Sequence, residues 1–347
     1  MEETHTTERP QSVMHPTTEP RVSVVTPVYN GASYLRECIE SVLSQTYSNW
    51  DYTIINNNST DDTLAIAQEY ARKDPRVRVC SNDVLLDVIS NHNRAFSLIS
   101  PLSKYCKVVS ADDWLFPECL ARLVAVAETH PSVGLVGSYQ LFGAGTDWRA
   151  WRVMWAEVPY PSTFIRGRDV CRTQMLGGPY IFGSPTSLLY RADLVRAQER
   201  FYPNFTAEAD TSACYRELQS SDFGFVHQVL SYGRLHQETQ SAVSKSVNAY
   251  QSSRLGDLMM YGPSFLTGTE LAERAEQVLD DYYHYLAVSA VHQRDKKFWD
   301  YHKRRLTECG HPFSRVRFGK ALAAKLLDLL LNPKQTVEKT MRQKALV

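Results

Sequence analysis

The sequence predicts an α/β protein, with a doubly wound, mostly parallel sheet over residues 21–240 and a helical region over 241–347. Three observations carry this expectation. Short apolar runs alternate with helical spacing from Arg21 onward. The first, second and fourth of those runs end in polar, turn-forming residues. Beyond about Gln237 the strand signals stop while helical spacing continues.

Residues 1–20 are rich in Thr, Glu and Pro and read as a disordered leader. No basic stretch there precedes an apolar core, so a signal peptide is not expected. Val22-Ser-Val-Val-Thr26 is a buried strand closed by Pro27, and Tyr29-Asn30-Gly31 is a turn. Leu35, Ile39, Val42 and Leu43 then share one helical face. Asp51 to Ile55 form a second strand that ends at Asn56-Asn57-Asn58. Ser59 offers an N-cap to a helix carrying Leu64, Ile66, Ala67 and Tyr70. Arg76 to Cys80 alternates as a third strand, and 91–99 is helical. Lys107 to Ser110 is a fourth strand, stopping at Ala111-Asp112-Asp113. Leu115 to His130 is expected as one helix, Val133 to Val136 as a strand, and Phe225 to Val229 as the last strand.

From Gly143 to Tyr190 the pattern loosens around Trp148, Trp151, Trp155, Tyr160 and Tyr180. These rings either stack on sugars or sit under long loops as core. Arg315 to Leu331 spaces Val316, Leu322, Leu326, Leu327 and Leu330 at helical intervals, with Arg315, Arg317, Lys320 and Lys325 between them. Such a helix either packs on its own domain or makes a peripheral contact with an anionic membrane face.

Composition narrows the function. Of 347 residues, 43% are apolar and 22% charged, enough to bury a sizeable core. Lys+Arg and Asp+Glu both number 38, so no global field draws nucleic acid, and no such partner is expected. The 7 cysteines contain no C-x-x-C pair, which suits a reducing, cytoplasmic setting rather than a zinc site or disulfide framework. No apolar stretch of about 18 residues is present to span a membrane. The protein is therefore expected in the cytoplasm, or peripheral at the inner face of the membrane.

In a doubly wound sheet, ligands bind outside the carboxyl ends of the strands. Thr26 to Asn30, Asn56 to Ser59 and Asp112-Asp113 all fall there. Two adjacent acids after Val108-Val109 suit a hard divalent cation, Mn²⁺ or Mg²⁺, that takes phosphate oxygens on its open side. They also suit the first turn of a helix.

The runs Val22-Ser-Val-Val-Thr-Pro-Val-Tyr-Asn-Gly31, Ser41-Val-Leu-Ser-Gln-Thr-Tyr47, Ile54-Ile-Asn-Asn-Asn-Ser-Thr-Asp61 and Ala111-Asp-Asp-Trp-Leu-Phe-Pro117 together resemble family 2 glycosyltransferases. The resemblance covers 21–137 and, through shorter matches, 180–241. It implies a GT-A fold, an inverting reaction, a nucleotide diphosphate-sugar donor (UDP-sugar in the first instance) and a hydroxyl acceptor on a glycan or lipid-linked glycan. It implies that Thr26, Pro27 and Tyr29 line the base and ribose pocket, that Asn57 reads the base, that Asp112 faces the ribose and that Asp113 ligates the metal. Asn57 stands where many members have Asp. By the same resemblance Asn93-Arg94 reach toward the donor, unless Arg94 is simply an exposed helical residue. Arg234-Leu-His236 would contact diphosphate or metal. In Glu208-Ala-Asp-Thr-Ser-Ala-Cys-Tyr-Arg216 the resemblance points to Asp210 as catalytic base, with Glu208 as its competitor. Gly177-Gly178 and Gly183 to Ser187 would shape the acceptor side. A nucleotidyltransferase lacks support because Thr26 to Gly31 has no Gly-rich, Lys-bearing phosphate loop. A dehydrogenase lacks it because no G-x-G-x-x-G follows the first strand. A non-catalytic sugar-nucleotide binder is the remaining alternative.

Overall fold

The computed structural model describes residues 19–143, 151–154, 162–203, 208–235, 249–291 and 294–331. Its first half runs β1 (Val22–Val28), α1 (Leu35–Leu43), β2 (Trp50–Asn56), α2 (Thr63–Lys73), β3 (Val77–Ser81), α3 (Val88–Ser97), β4 (Tyr105–Val108), β5 (Trp114–Leu115) and α4 (Cys119–Thr129). Then come β6 (Val133–Gly143), β7 (Arg152–Met154), β8 (Phe164–Ile165), α5 (Gly167–Met175), β9 (Leu189–Arg191), α6 (Ala192–Arg196), α7 (Ala209–Glu217) and β10 (Asp222–Arg234). The chain closes with α8 (Tyr250–Phe265), α9 (Gly268–Val291), α10 (Lys296–Glu308) and α11 (Arg315–Leu331).

The sheet has ten strands, with the path β3-β2-β1-β4-β9-β6-β10-β5. β1 to β4 form the parallel half that the apolar runs predict. Pro27 is tolerated inside it because β1 pairs with β4 only through Val25; beyond that point only β2 lies alongside. The second half is mixed. β9 enters antiparallel to both β4 and β6, while β6 and β10 run parallel. Three residues give no periodicity to read, so β9 was invisible in the sequence.

One expected helix starts late. Trp114 and Leu115 are a strand antiparallel to Tyr232 and Ser231, and the helix begins only at Cys119, after Pro117. The pairing wins because Trp114 stacks on Tyr232 with ring centroids 3.8 Å apart.

Each face of the sheet carries its own core. On one, Val22, Val24 and Ile54 meet Leu35, Ile39, Leu120 and Leu123. On the other, Val25, Phe182, Tyr215 and Phe223 form one continuous cluster with Leu255, Leu258, Phe265 and Tyr282. The C-terminal helices are thus built into the sheet's second core. Arg172 on α5 and Glu270 on α9 reinforce the seam as a two-bond ion pair. α11 docks on α9 through Arg317, which pairs with Glu276 at 2.7 Å and Asp280 at 3.3 Å. It buries no residue, and Leu326, Leu327, Leu330 and Leu331 stay exposed. Among the described residues no helix is long and apolar enough to cross a membrane.

The β1–α1 turn depends on Gly31, where an added Cβ would lie 2.5 Å from Val28 Cγ2. Gly31→Ala is therefore expected to cost about 1–3 kcal/mol, the usual penalty of overpacking. Urea unfolding checks this, and an unchanged midpoint would show that the turn relaxes freely.

Candidate active site

The loops after β1 and β2 are stitched together by polar side chains. Asn30 Oδ1 accepts from Thr60 N at 2.9 Å, and Ser59 Oγ accepts from Asn30 N at 3.0 Å. Thr63 Oγ1 accepts from Gly31 N at 2.8 Å, and Asp61 Oδ2 from Ala32 N at 3.1 Å. Asn30 and Asn58 both take left-handed backbone, with φ of 48° and 55°. Asn carries that conformation at little cost. The Asn-Ser-Thr-Asp run is therefore loop scaffolding, and it leaves Tyr29 displayed at 48% exposure.

Thr26 and Pro27 lie buried beneath this loop. The Thr26 hydroxyl bonds Tyr52 Oη at 2.9 Å. Asn57 is enclosed as well. Its carboxamide is 2% exposed; Oδ1 accepts from Asn82 Nδ2 at 2.9 Å and Leu86 N at 3.0 Å, and Nδ2 donates to Leu86 O at 2.9 Å. With its acceptor capacity filled, Asn57 holds the 82–86 loop in place. Asn93 is committed elsewhere as well. It exchanges two 2.8 Å bonds with the Tyr202 backbone and ties α3 to that segment, while Arg94 is exposed.

Asp113 is buried, with both carboxylate oxygens hydrogen-bonded. Its Oδ2 accepts from Thr186 Oγ1 at 2.6 Å and its Oδ1 from Arg234 N at 3.0 Å. Burial first, and the Asp112 charge second, push its carboxyl up to about 7. Beneath it Lys107 is fully buried, with Nζ donating to the Thr186 and Leu188 carbonyls. Burial lowers that lysine's pKa, and the attraction between it and Asp113 partly opposes both shifts. Asp112 is the more exposed member of the acid pair, and its carbonyl accepts from Arg234 Nε at 3.2 Å. Arg234 also reaches Glu37 Oε2 at 2.6 Å and lies over the rings of Tyr34 and Trp114 at 4.4 and 5.3 Å. His236 and Ser241 fall outside the described residues, as do Trp148, Trp155 and Tyr160.

Sequence reasoning missed Lys107 and Asn82, and it placed Thr186 in the 183–187 run without its bond to Asp113. A lysine inside an apolar strand was the available signal for Lys107, since such a cation is buried only with partners. Asn82 carries no local signal.

No preformed group of three or more His, Cys, Asp or Glu exists among the described residues to cage a metal. An ion that keeps several waters and completes its shell with substrate phosphates needs only one or two carboxylates. Asp112 and Asp113 fit that requirement, and a cation would relieve the cost of charging a carboxyl as buried as Asp113.

Asp210 begins α7, half-buried. Burial raises its carboxyl above the ordinary range, while the N–H groups of Thr211 and of Asp210 itself pull it down. Glu208, one turn position earlier, is pushed up to about 7 by burial and then by Asp210. Tyr180 donates or accepts at Thr211 Oγ1 over 2.8 Å, which fixes the 177–183 segment against this helix.

The description "Glycosyl transferase family 2" matches residues 23–197. The chain belongs to this family. A putative glycosyltransferase EpsE of Bacillus subtilis is 33% identical over 153 residues, 44% of this chain and 54% of that protein. An uncharacterized glycosyltransferase of Haemophilus influenzae is 34% identical over 120 residues, covering 35% of this chain and 36% of its own. The chain thus spans about a third to a half of the length of these relatives. In solved structures the fold is similar to S. aureus TarS 1-349 in complex with UDP-GlcNAc, with TM-score 0.63, 16% identity and coverage of 93% and 92% of the two chains. It is also similar to the mannosyltransferase PcManGT of Pyrobaculum calidifontis in complex with GDP-Man and Mn²⁺, with TM-score 0.51, 15% identity and coverage of 91% and 88%. The fold is of the GT-A kind.

Placing an acid at Asn57 tests its hold on the 82–86 loop. Asn57→Asp removes the donor to Leu86 O and sets a carboxylate against that carbonyl. A loss of about 1–3 kcal/mol in stability, with faster amide exchange over 82–86, is expected. Unchanged exchange there would return Asn57 to the base pocket.

Proposed function

We propose that this chain is an inverting, metal-dependent glycosyltransferase that moves a sugar from a UDP-sugar to a hydroxyl of a glycan or lipid-linked glycan. The observation that carries the reading is the Asp113 carboxyl, buried and doubly hydrogen-bonded after β4, the strand that pairs with β1, at whose end Tyr29 is displayed. Tyr29 offers a ring face to the base, and Asp112 offers a carboxylate to the ribose. Asp113, with Asp112, would hold Mn²⁺ or Mg²⁺. Such an ion, when bound, offsets the negative charge that develops on the leaving diphosphate. The UDP complexes of similar folds support the donor class, and the Mn²⁺ complex supports the ion.

Transfer is a single displacement. The acceptor oxygen bonds to the anomeric carbon as the bond from that carbon to the diphosphate oxygen breaks, and the electron pair leaves with UDP. The hydroxyl proton passes to Asp210, whose raised pKa makes it a stronger base than a surface carboxylate. Arg234 keeps Asp112 and α1 in register while this happens.

Calorimetry and turnover test the reading together. UDP should bind more tightly with Mn²⁺ than with EDTA, and Asp113→Ala should erase the difference. Asp210→Asn should leave UDP affinity intact while turnover falls by about two to four orders of magnitude. Glu208→Gln should be mild. Because the Asp210 carboxyl is raised, kcat/KM should climb with pH above the ordinary carboxylate range. Metal-independent binding would remove the ion from the mechanism. A Glu208→Gln enzyme that is dead beside an active Asp210→Asn would reverse the two acids, and donor binding without hydrolysis or transfer would leave a non-catalytic binder.

A peripheral seat at the cytoplasmic membrane face belongs to the same reading, on the strength of Leu326, Leu327, Leu330 and Leu331 exposed on a helix that also carries Arg315 and Lys320. The protein should sediment with vesicles rich in phosphatidylglycerol and not with neutral ones. Leu327→Ser with Leu330→Ser should abolish that binding without changing turnover on a soluble acceptor. Equal sedimentation of the double variant would place these leucines in another contact.

A further inference from the structure

Between α5 and α7 on one side and α8 and α9 on the other lies a cavity of about 180 Å³. Its walls include Gln174 and Gly177 from the end of α5, Glu208 ahead of α7, Arg254 and Asp257 on α8, and Arg274 on α9. The Arg274 guanidinium lies against Gly177, where an added Cβ would meet Nη2 at 2.7 Å; the Gly177 φ of +97° calls for glycine in any case. Nε of Arg274 donates to Met175 O at 2.8 Å and Nη1 to Gln277 Oε1 at 2.7 Å. Both acceptors are neutral. Among the described residues no carboxylate forms an ion pair with Arg274, although its neighbour Arg254 has Asp281 at 3.0 Å. Arg274 is thus half-enclosed beside a second cation, with Asp281 as the acid whose charge supports both, and a bound anion would offset the repulsion between the two guanidiniums.

The remaining walls describe what carries that anion. Gln174 Oε1 is buried without a hydrogen-bond donor, although Nε2 of the same side chain donates to Tyr215 Oη at 2.9 Å. A ligand hydroxyl would satisfy it. Tyr180 and Tyr250 line the same cavity at 36% and 53% exposure and offer ring faces to sugar C–H groups. Burial pushes the Glu208 carboxyl up to about 7 and holds Asp257, which accepts from Ser212 Oγ at 2.6 Å, well above its ordinary value, so both acids are weakened as counter-charges. The cavity thus brings together two guanidiniums and an unfilled acceptor on Gln174.

We propose that this cavity is the acceptor site and that it selects an anionic saccharide, a sugar bearing a phosphate or carboxylate group, with the anion on Arg274 and Arg254 and a hydroxyl on Gln174. The proposal rests on the glycosyltransferase reading and names the acceptor class. The C-terminal helices then supply specificity, because both arginines come from them.

The test is calorimetry on the full chain with UDP and Mn²⁺ present to occupy the donor site. The probes are glucose 6-phosphate, methyl glucuronide and neutral methyl glucoside. At least one anionic probe should bind about tenfold or more tightly than methyl glucoside, and comparison of the two anions tells phosphate from carboxylate. Arg274→Gln should erase the preference, since a charge-assisted pair is worth about tenfold or more. UDP affinity should not move. If Arg274→Gln loosens α9, Arg254→Gln reports on the same charge from α8, and Gln174→Met should weaken all three sugars alike. Equal affinity for neutral and anionic probes, or a preference that survives both arginine variants, overturns the proposal. The two readings fail separately. Anion preference without UDP-sugar turnover sinks glycosyl transfer and leaves the site, whereas turnover with no anion preference sinks the site alone.

Discussion

Burying one carboxylate organises this molecule. Asp113 cannot stay charged at the end of an apolar strand unless its oxygens are satisfied, and the fold brings two distant segments to it. Thr186 comes from the turn before β9, and the Arg234 backbone from the end of β10. The turn that leads into β9, the strand antiparallel to both β4 and β6, delivers the Thr186 and Leu188 carbonyls to Lys107 and the Thr186 hydroxyl to Asp113. Lys107 supplies positive charge from below without reaching the acid, so the carboxylate remains available above. The arrangement resembles a socket more than a salt bridge. A direct Lys–Asp pair would have engaged the carboxylate that the proposed cation would use.

The second constraint is the shared core. Phe182, Tyr215 and Phe223 would face water on one sheet face without Leu255, Leu258 and Tyr282. The C-terminal helices are consequently held to the sheet by apolar burial, which sums over many side chains. The Arg172–Glu270 pair sets the register of that contact more than its strength, as expected for a half-exposed ion pair. Because the helices close over α5 and α7, the acids Glu208, Asp210 and Asp257 are desolvated together, and their raised proton affinities follow from that closure. Chemistry at α7 and packing at α8 are thus one physical problem.

The donor-side loops show a different economy. Asn30 and Asn57 spend their side chains on backbone partners, and Asn30 and Asn58 hold left-handed conformations. Rigid loops cost nothing further to order when a ligand arrives. The exposed Tyr29 and the Asp112 side are what such a scaffold presents.

The sequence by itself determined the strand–helix alternation of β1 to β4, the polar strand ends and the Asp112-Asp113 pair, because each is a local pattern of period, turn chemistry or adjacency. It also carried the family, since four short motifs keep their order and spacing. Only the tertiary structure decided which polar residues are enclosed and which displayed. Asn57, Asn93 and Thr26 look equivalent to Tyr29 along the chain, yet hydrogen bonds to Leu86, Tyr202 and Tyr52 engage them within the fold. Residue type states what a side chain can bond to, but its partner is chosen by segments up to 109 residues away, which no local pattern encodes. The same holds for Lys107 and Thr186, and for the cavity whose walls come from helices on both sides of the shared core.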